Sequence, residues 1–271
     1  MNICQALILG VVQGATEFLP VSSSAHLVIM QHYLGFKQPL LLFDALLHTS
    51  TLVAVVIYFR KEIYGIVLSL IKFKKRNSEE TLYLKMFYLI IIGTIPTLIM
   101  GLFLNIWVDT LFSSIVLVSF MLIFTGIILC LGEKRAKLSK GIKEMGIKNA
   151  LLIGLMQGIA IIPGISRSGS TISISLLQGI KKELAFRYSF LLSIPAILGA
   201  LTIEAREAFL KENLPHNLAP WLVGAFSAFI VGYLSLLLLR NIILKKKLFL
   251  FAFYCWIIGV GMLILHFGKV R

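Results

Sequence analysis

Residues 10–26 read GVVQGATEFLPVSSSAH, and residues 154–171 read GLMQGIAIIPGISRSGST. In each stretch an apolar segment runs into a proline, Pro20 or Pro163, and a cluster of serines follows. Proline kinks or breaks a helix when it lies in the interior, whereas serine is preferred at helix N-caps. Each stretch therefore predicts a helix that ends near its proline and a second helix that begins at its serines.

The composition of the chain is that of a membrane protein. Of its 271 residues 58% are hydrophobic and 14% are charged, and the mean hydropathy is +0.93. Globular chains carry roughly 45–50% apolar and about 25% charged residues, so a soluble domain is excluded. About 20 apolar residues cross a hydrocarbon core. Together the segments of this length predict an all-α polytopic membrane protein. There are six of them: 41–59, 86–104, 111–132, 185–203, 219–239 and 248–267.

The two proline-containing regions, 3–34 and 149–180, are apolar at both ends but interrupted in the middle. Non-helical backbone at membrane depth is tolerated only where it is buried in protein or lines a wet cavity. We therefore predict that both regions are re-entrant helix–turn–helix elements. Met1–Leu9 lacks the basic residues of a signal peptide, so the N-terminus is expected to belong to the fold.

The net charge of +14 is explained by sidedness, and no nucleic acid partner is expected. Twenty of the 26 Lys and Arg residues lie in four segments that are predicted to be cytoplasmic: 60–85, 133–149, 181–187 and 240–247. Three connections are predicted to face outward: 35–40, 105–110 and 204–218. With these assignments, the first re-entrant element lies on the outer side of the membrane and the second on the cytoplasmic side.

The two halves of the chain also resemble each other. Gly10–Gly14 recurs as Gly154–Gly158, and Gly93-x7-Gly101 is echoed by Gly224-x7-Gly232. Each re-entrant element is followed by three predicted spans, and an odd number of spans forces the two copies into opposite orientations. We predict one membrane domain, 1–271, made of two inverted-topology repeats: 1–132 and 149–271, joined by a basic linker at 133–148. Chance similarity between apolar segments is the competing explanation.

A site for an anion is expected where the two elements meet. The positive ends of two half-helices would converge there from opposite sides, and such a place attracts anions. The serines of both clusters are candidate ligands: Ser22, Ser24, Ser166 and Ser168. Arg167 lies at predicted membrane depth, where an arginine is costly, and its planar fork binds phosphate or carboxylate oxygens bidentately.

The first element carries a candidate cation site. Gln13 and Glu17 are four residues apart and therefore share a helical face. Divalent cations such as Mg²⁺ or Ca²⁺ take oxygen ligands, and Mg²⁺ commonly binds through one or two carboxylates plus substrate phosphates. The alternative is that Glu17 forms a structural ion pair with Arg167.

His26 is a candidate acid or base, because it lies one turn into the helix that the first serines begin. Ser23 and His26 are three residues apart, a spacing that allows both side chains to share one face. We predict that Ser23, deprotonated by His26, is a nucleophile; the alternative is that Ser23 only caps the helix and that water or His26 attacks. Asp44 and His48 are interpreted either as supporting residues of the same cavity or as a structural pair.

The stretches 13–26 and 163–171 closely resemble the two motifs of the undecaprenyl-pyrophosphate phosphatase family, also called bacitracin-resistance proteins. The first motif, [Glu/Gln]-x-x-x-Glu, is matched by Gln13 and Glu17, and the second, Pro-Gly-x-Ser-Arg-Ser-x-x-Thr, by 163–171. The resemblance runs over essentially the whole chain and includes Phe43-Asp44 and 190–195. Many members have Glu where this chain has Gln13, so its site has one carboxylate fewer.

This resemblance implies a bacterial inner-membrane enzyme, built of interlocked inverted repeats, whose site opens to the extracytoplasmic side. It implies hydrolysis of undecaprenyl diphosphate and other polyprenyl diphosphates with a divalent cation, which recycles the lipid carrier for cell-wall synthesis and confers bacitracin resistance. Ser23 and His26 match the positions proposed as nucleophile and base, and Ser166, Arg167 and Thr171 match the phosphate-binding motif. The resemblance leaves open which of Ser23 and His26 attacks.

A second function class also fits the pattern. Inverted repeats with broken helices that meet at the midplane describe secondary transporters of anionic substrates as well, including a flippase of a phosphorylated lipid. A transporter needs no Ser–His pair beside its anion site, and for this reason we favour the enzyme. Membrane lipid is an expected partner in both cases, and association of two copies as a homodimer is left open.

Overall fold

The computed structural model describes residues 1–36, 40–72, 77–105, 107, 111, 114–134, 138–211, 217–245 and 247–268, without the side chains of 41, 105 and 203–211. Within these ranges the chain forms eleven helices and no β-strand. They are α1 (Ile3–Phe18), α2 (Ser23–Tyr33), α3 (Leu41–Tyr58), α4 (Arg60–Ile71), α5 (Ser78–Asn105), α6 (Ile115–Glu133), α7 (Ile147–Ile159), α8 (Arg167–Leu177), α9 (Lys182–Lys211), α10 (Ala219–Leu244) and α11 (Phe249–Gly268).

The described helices confirm an all-α polytopic membrane protein. Five of them, α5, α6, α9, α10 and α11, are long and apolar enough to cross a membrane. Helices α3 and α4 meet the same criterion together, but the chain bends by 72° between them. The described chain thus has five candidate membrane spans, or six if the bent pair is one span, and six segments were predicted.

Several predicted loops are in fact helical. Helix α4 and the first turns of α5 occupy most of 60–85, and α9 begins at Lys182, inside the predicted loop 181–187. Ile63 and Ile66 of α4 pack against the core, so this charged stretch is an amphipathic helix. Hydropathy marks where a helix leaves the apolar layer but not where its hydrogen bonding stops, and the predicted boundaries were wrong for this reason.

Two further boundaries differ from the prediction. Helix α9 continues to Lys211 into the predicted outward loop 204–218, and α10 continues to Leu244. Most of the predicted loop 105–110 lies outside the described residues. Helix α6 begins at Ile115, where the Ser114 hydroxyl accepts a hydrogen bond from the Leu117 backbone N–H at 3.2 Å.

Both predicted helix breaks are present. Helix α1 ends at Phe18, just before Pro20, and α2 begins at Ser23; α7 ends at Ile159 and α8 begins at Arg167. Each pair of short helices lies in the half of the chain and in the order that the sequence predicts. The breaks therefore follow directly from the proline and serine pattern.

The two halves of the chain pack into each other. Helix α1 of the first half lies against α10 of the second, and α7 of the second lies against α5 of the first. A Cβ atom on Gly10 would clash with the carbonyl oxygen of Gly224, and one on Gly154 would clash with that of Gly93. These reciprocal contacts require glycine and bring the backbones of α1 and α7 against those of α10 and α5. The inverted relation of the halves, their boundaries and the sidedness of the loops stay predictions.

An aromatic cluster lies beside the breaks. The ring of Phe190 in α9 is 5.5 Å from that of Phe18 and 5.0 Å from that of Phe186, centroid to centroid, and Phe59 packs on the same group. All four residues are fully buried. Phe18 directly follows Glu17, so this packing fixes the end of α1 and with it the position of the Glu17 carboxylate.

Candidate active site

The two helix breaks contact each other in the interior. The backbone N–H of Gly164 donates to the Ser22 hydroxyl at 3.2 Å, and a Cβ atom on Gly169 would lie 2.8 Å from Cβ of Pro20. The first of these contacts joins residues that are 142 positions apart in sequence. The structure thus brings together the two elements that the sequence predicts to converge.

Ser22 has an unusual backbone. Its φ of +69° lies in the left-handed region, which non-glycine residues rarely adopt. Ser22 is the N-cap residue of α2, but its hydroxyl makes no capping hydrogen bond; it contacts Gly164 and, at 3.2 Å, the Ser24 hydroxyl. Strained conformations of this kind persist where the surroundings determine them, and they are common at functional sites.

The second break is anchored to α6. The Thr125 hydroxyl donates to the Gly164 carbonyl at 3.0 Å and accepts from the Ser166 N–H at 3.1 Å. Ser166 caps α8, because its hydroxyl accepts from the Gly169 N–H at 3.2 Å. The positive end of α8 therefore begins at Arg167 and is held at the junction of the two breaks.

Glu17 is the centre of the site. Its Oε1 accepts from Nη2 of Arg167 at 2.7 Å, and its Oε2 accepts from the Ser23 hydroxyl at 2.7 Å and from Nε2 of Gln13 at 3.1 Å. The side chains of Glu17 and Arg167 are 7% and 16% exposed, so this ion pair is largely buried. The structural ion pair that the sequence left as an alternative is present.

Arg167 retains an unused donor group. Its Nη1 is buried and has no hydrogen-bond partner among the described residues, while its guanidinium carbon lies 5.8 Å from the centre of the Phe190 ring. A buried donor without a partner is costly, and a charged one more so. Arg167 is thus held by Glu17 on one side and has N–H groups left for the oxygens of an anion.

The predicted pairing of Ser23 with His26 is not formed. Ser23 donates to Glu17, which belongs to the preceding helix. Nδ1 of His26 instead lies 2.8 Å from the Ser22 carbonyl oxygen, and Nε2 lies 2.7 Å from the Tyr254 hydroxyl. The spacing of three residues allowed both side chains to share a face, but the break turns Ser23 back toward α1. Ser23 does not cap α2 either, because Ser22 occupies that position.

The other predicted phosphate ligands are bonded within the protein. The hydroxyls of Ser168 and Ser166 are 3.3 Å apart, and both residues are buried. Thr171 is fully buried; its hydroxyl donates to the Arg167 carbonyl at 2.8 Å and contacts the Ser189 hydroxyl of α9. In the structure these side chains hold the start of α8, which positions Arg167.

The donor atoms near Glu17 fit a divalent cation that also binds substrate. Gln13 Nε2 donates to Glu17 and lies 3.0 Å from Nδ1 of His48, whereas Gln13 Oε1 is buried and has no partner within the described part of the chain. One carboxylate and one free amide oxygen provide two ligands, and a diphosphate can provide more. The described residues include no group of three or more His, Cys, Asp and Glu side chains that could hold a metal without a substrate.

Asp44 and His48 have separate contacts. Asp44 accepts from Nε2 of Gln31 at 2.8 and 2.9 Å, which joins α3 to α2. Nδ1 of His48 lies 3.5 Å from Oε2 of Glu17. His48 thus borders the site, as the first of the two interpretations expects.

Tyr254 is a residue of the site that sequence reasoning missed. It lies in the last apolar span, where aromatic residues are ordinary, and 228 residues separate it from His26. Thr125 and Ser189 were missed for the same reason, since a lone hydroxyl in an apolar helix usually bonds to its own backbone. Only the packing of α6, α9 and α11 against the two breaks reveals these contacts.

Comparison with known proteins shows the family of this chain. Residues 6–261 match the family described as bacitracin resistance protein BacA. The chain is 43% identical to an undecaprenyl-diphosphatase of Desulforapulum autotrophicum over 98% of this chain and 99% of that protein. It is 44% identical to proteins of the same name from Halothermothrix orenii, over 98% of both chains, and from Treponema denticola, over 99% of both. The chain belongs to the bacitracin resistance protein BacA family.

Proposed function

We propose that this protein hydrolyses undecaprenyl diphosphate to undecaprenyl phosphate and inorganic phosphate. The relatives that cover nearly the whole chain carry the name undecaprenyl-diphosphatase. The observation that carries the proposal is the buried Arg167, whose Nη1 has no partner among the described residues and which shares the Glu17 carboxylate with the Ser23 hydroxyl. This arrangement combines an anion-binding group with a nucleophile and a proton acceptor.

In the first step, Ser23 attacks the terminal phosphorus. A serine hydroxyl is a weak nucleophile unless an adjacent base takes its proton. Glu17 Oε2 is 2.7 Å from the Ser23 oxygen, so the carboxylate accepts that proton as the P–O bond forms. The bond to the bridging oxygen breaks and undecaprenyl phosphate leaves. Arg167 and the N-terminus of α8 stabilise the oxygens of the transferred group.

In the second step, water hydrolyses the phosphoserine. The attacking and departing oxygens of a phosphoryl transfer lie roughly in line, so water enters on the face from which the lipid phosphate left. Glu17 returns its proton to the Ser23 oxygen. His26 provides the base on the water side, because its Nδ1 is bonded to a carbonyl and therefore carries the proton, which leaves Nε2 as the basic atom.

A divalent cation, Mg²⁺ or Ca²⁺, would be held by Glu17 and by the free amide oxygen of Gln13 together with substrate oxygens. When bound it would neutralise charge on the diphosphate. Gln13 also orients Glu17 through the hydrogen bond at 3.1 Å. The protein residues alone already provide nucleophile, proton acceptor and anion clamp.

The proposed setting is the bacterial inner membrane, with the site opening to the extracytoplasmic side. The basic segments support this orientation, because short cytoplasmic connections are rich in Lys and Arg. There the enzyme would recycle the lipid carrier for cell-wall synthesis. Removal of the diphosphate form would confer resistance to bacitracin.

The proposal is tested with purified, detergent-solubilised protein. Phosphate release is measured from undecaprenyl and farnesyl diphosphates, with and without chelator, in the wild type and in Ser23→Ala. We expect release by the wild type and a loss of about a hundredfold or more in the variant, the scale on which loss of a central catalytic group acts. A protein that only transports or flips the lipid would release no phosphate in either case, and that outcome would refute the proposal.

A further inference from the structure

The hydroxyl of Tyr254 is within hydrogen-bond distance of the basic ring nitrogen of His26. Nδ1 of His26 lies 2.8 Å from the Ser22 carbonyl oxygen, which can only accept, so Nδ1 carries the ring proton. Nε2 is then an acceptor, and the Tyr254 hydroxyl donates to it at 2.7 Å. The single lone pair of the neutral imidazole is therefore occupied by the Tyr254 proton.

Tyr254 is held in place by the residues that follow it. Cys255 contacts the carbonyl oxygen of Pro20 through its sulfur at 3.5 Å, and Trp256 donates from Nε1 to the Ile123 carbonyl at 3.1 Å. The rings of Tyr254 and His26 are stacked, with centroids 5.7 Å apart and an angle of 13° between their planes. Three consecutive residues of α11 thus fix this helix against the first break and α6.

The occupied lone pair limits what His26 can do alone. His26 cannot take a proton directly from water while Tyr254 donates to it. A phenol that donates still has oxygen lone pairs that can accept from another donor. Tyr254 is 39% exposed, whereas the side chain of Glu17 is 7% exposed.

We infer that Tyr254 relays the proton between the attacking water and His26; the inference rests on the proposed hydrolysis. As water attacks the phosphoserine, an O–H bond of the water breaks and its proton passes to the Tyr254 oxygen. The Tyr254 proton passes at the same time to Nε2 of His26, which becomes the imidazolium. The P–O bond to Ser23 breaks, the serine oxygen takes the proton held by Glu17, and His26 later releases its extra proton to solvent.

This assignment uses different residues for proton transfer on the two faces of the phosphoryl group. Glu17 is bonded to Ser23 and serves the face on which the serine attacks. The water must enter from the opposite face, because displacement at phosphorus is in line. His26 makes its contacts with Ser22 and Tyr254 rather than with Ser23, so it is free of the serine that Glu17 serves.

The first test is Tyr254→Phe, which keeps the ring and removes only the hydroxyl, measured by rapid-quench kinetics with undecaprenyl diphosphate. We expect kcat to fall by about 10- to 100-fold, since general bases contribute about 10²–10⁴ and bulk water can partly replace a relay. KM should fall in proportion to kcat, so that kcat/KM stays within about twofold, because a slower second step leaves substrate binding and the first step unchanged. A burst of undecaprenyl phosphate and accumulation of phosphoserine should appear, because only the second step is slowed. Tyr64→Phe, an exposed tyrosine of α4, is the matched control and should behave as wild type.

The second test replaces Tyr254 with fluorinated tyrosines of graded acidity. A relay predicts that the rate of phosphoserine hydrolysis changes with the acidity of the phenol, whereas a packing role predicts no change. Equal rates across the series, or a Phe variant that slows both steps alike and raises KM, would overturn the relay. If the wild type released no phosphate, the proposed function itself would be refuted. An active wild type with an unchanged Phe variant would refute the relay alone.

Discussion

Nη2 of Arg167 lies 2.7 Å from Oε1 of Glu17, in a buried ion pair between residues that are 150 positions apart. Each charge offsets the cost of burying the other, and removal of one partner would leave an uncompensated charge. The same carboxylate also accepts from Ser23 through its other oxygen. Glu17, at the end of α1, thus contacts both the proposed anion-binding group and the proposed nucleophile.

Arg167→Lys should distinguish the effect of the positive charge from that of the planar guanidinium group. Lysine keeps the ion pair with Glu17 but offers a point charge instead of several planar N–H groups. We expect kcat/KM to fall by about 10²–10³, the range seen when a transition-state donor is removed. The thermal unfolding temperature should change little.

Arg60→Lys is the control for this substitution, because Arg60 is exposed and donates to the carbonyl of Ile57 in the adjoining helix turn. It should leave both quantities unchanged. Near-normal turnover in Arg167→Lys would make Arg167 a structural charge rather than a phosphate clamp.

Ser23→Ala should abolish both turnover and the covalent intermediate. The hydroxyl is bonded to Glu17 and is not the helix cap, so the loss should be chemical and not a failure to fold. Rapid-quench mass spectrometry with lipid diphosphate should find phosphate on Ser23 in the wild type. Ser119→Ala, whose hydroxyl bonds to the Ile115 carbonyl of its own helix, is the control. Phosphate found on His26, or turnover within a few-fold in Ser23→Ala, would contradict the assignment.

The cation site can be tested by binding alone. Gln13→Glu should tighten Mn²⁺ binding, measured by electron paramagnetic resonance of the protein with a non-hydrolysable diphosphate, because a charged ligand replaces a neutral one. Glu17→Gln should weaken it. Identical titration curves for the wild type and Gln13→Glu would remove Gln13 from the coordination shell, whatever the effect on activity.

The close packing of α7 against α5 predicts that replacement of Gly154 destabilises the protein. In Gly154→Ala the new Cβ would meet the backbone of Gly93, which cannot rotate away. We expect a loss of about 1–3 kcal/mol in the free energy of unfolding, as in other overpacked cores. Gly261→Ala in α11 is the matched control, since apart from the adjoining residues and backbone of α11 no described atom lies within 4 Å of the position that its Cβ would take. Equal unfolding temperatures for the two variants would contradict the close approach of α7 and α5.

Individual residues show how far sequence reasoning reached. Pro20, Pro163 and the serines that follow them mark the breaks by a local rule, because proline disfavours a helix interior and serine favours a helix start. Proline alone is not enough, since Pro96 lies inside α5 and Pro195 inside α9. The convergence of the breaks was also predictable, because non-helical backbone in a membrane must be buried in protein. The bend between α3 and α4 was not, since charged residues at a helix start look the same as a loop by hydropathy.

The amino-acid sequence by itself determined the membrane class, the two breaks and the residue types of the site, because these depend on composition and on neighbours within a turn or two. Only the tertiary structure decided which groups pair. Ser23 donates to Glu17 rather than to His26, and His26 contacts Tyr254, because these partners come from α1 and α11 and their distances depend on how whole helices pack. Hydrogen bonds act over about 3 Å, so the partners of Ser23 and His26 are set by packing that no local pattern encodes.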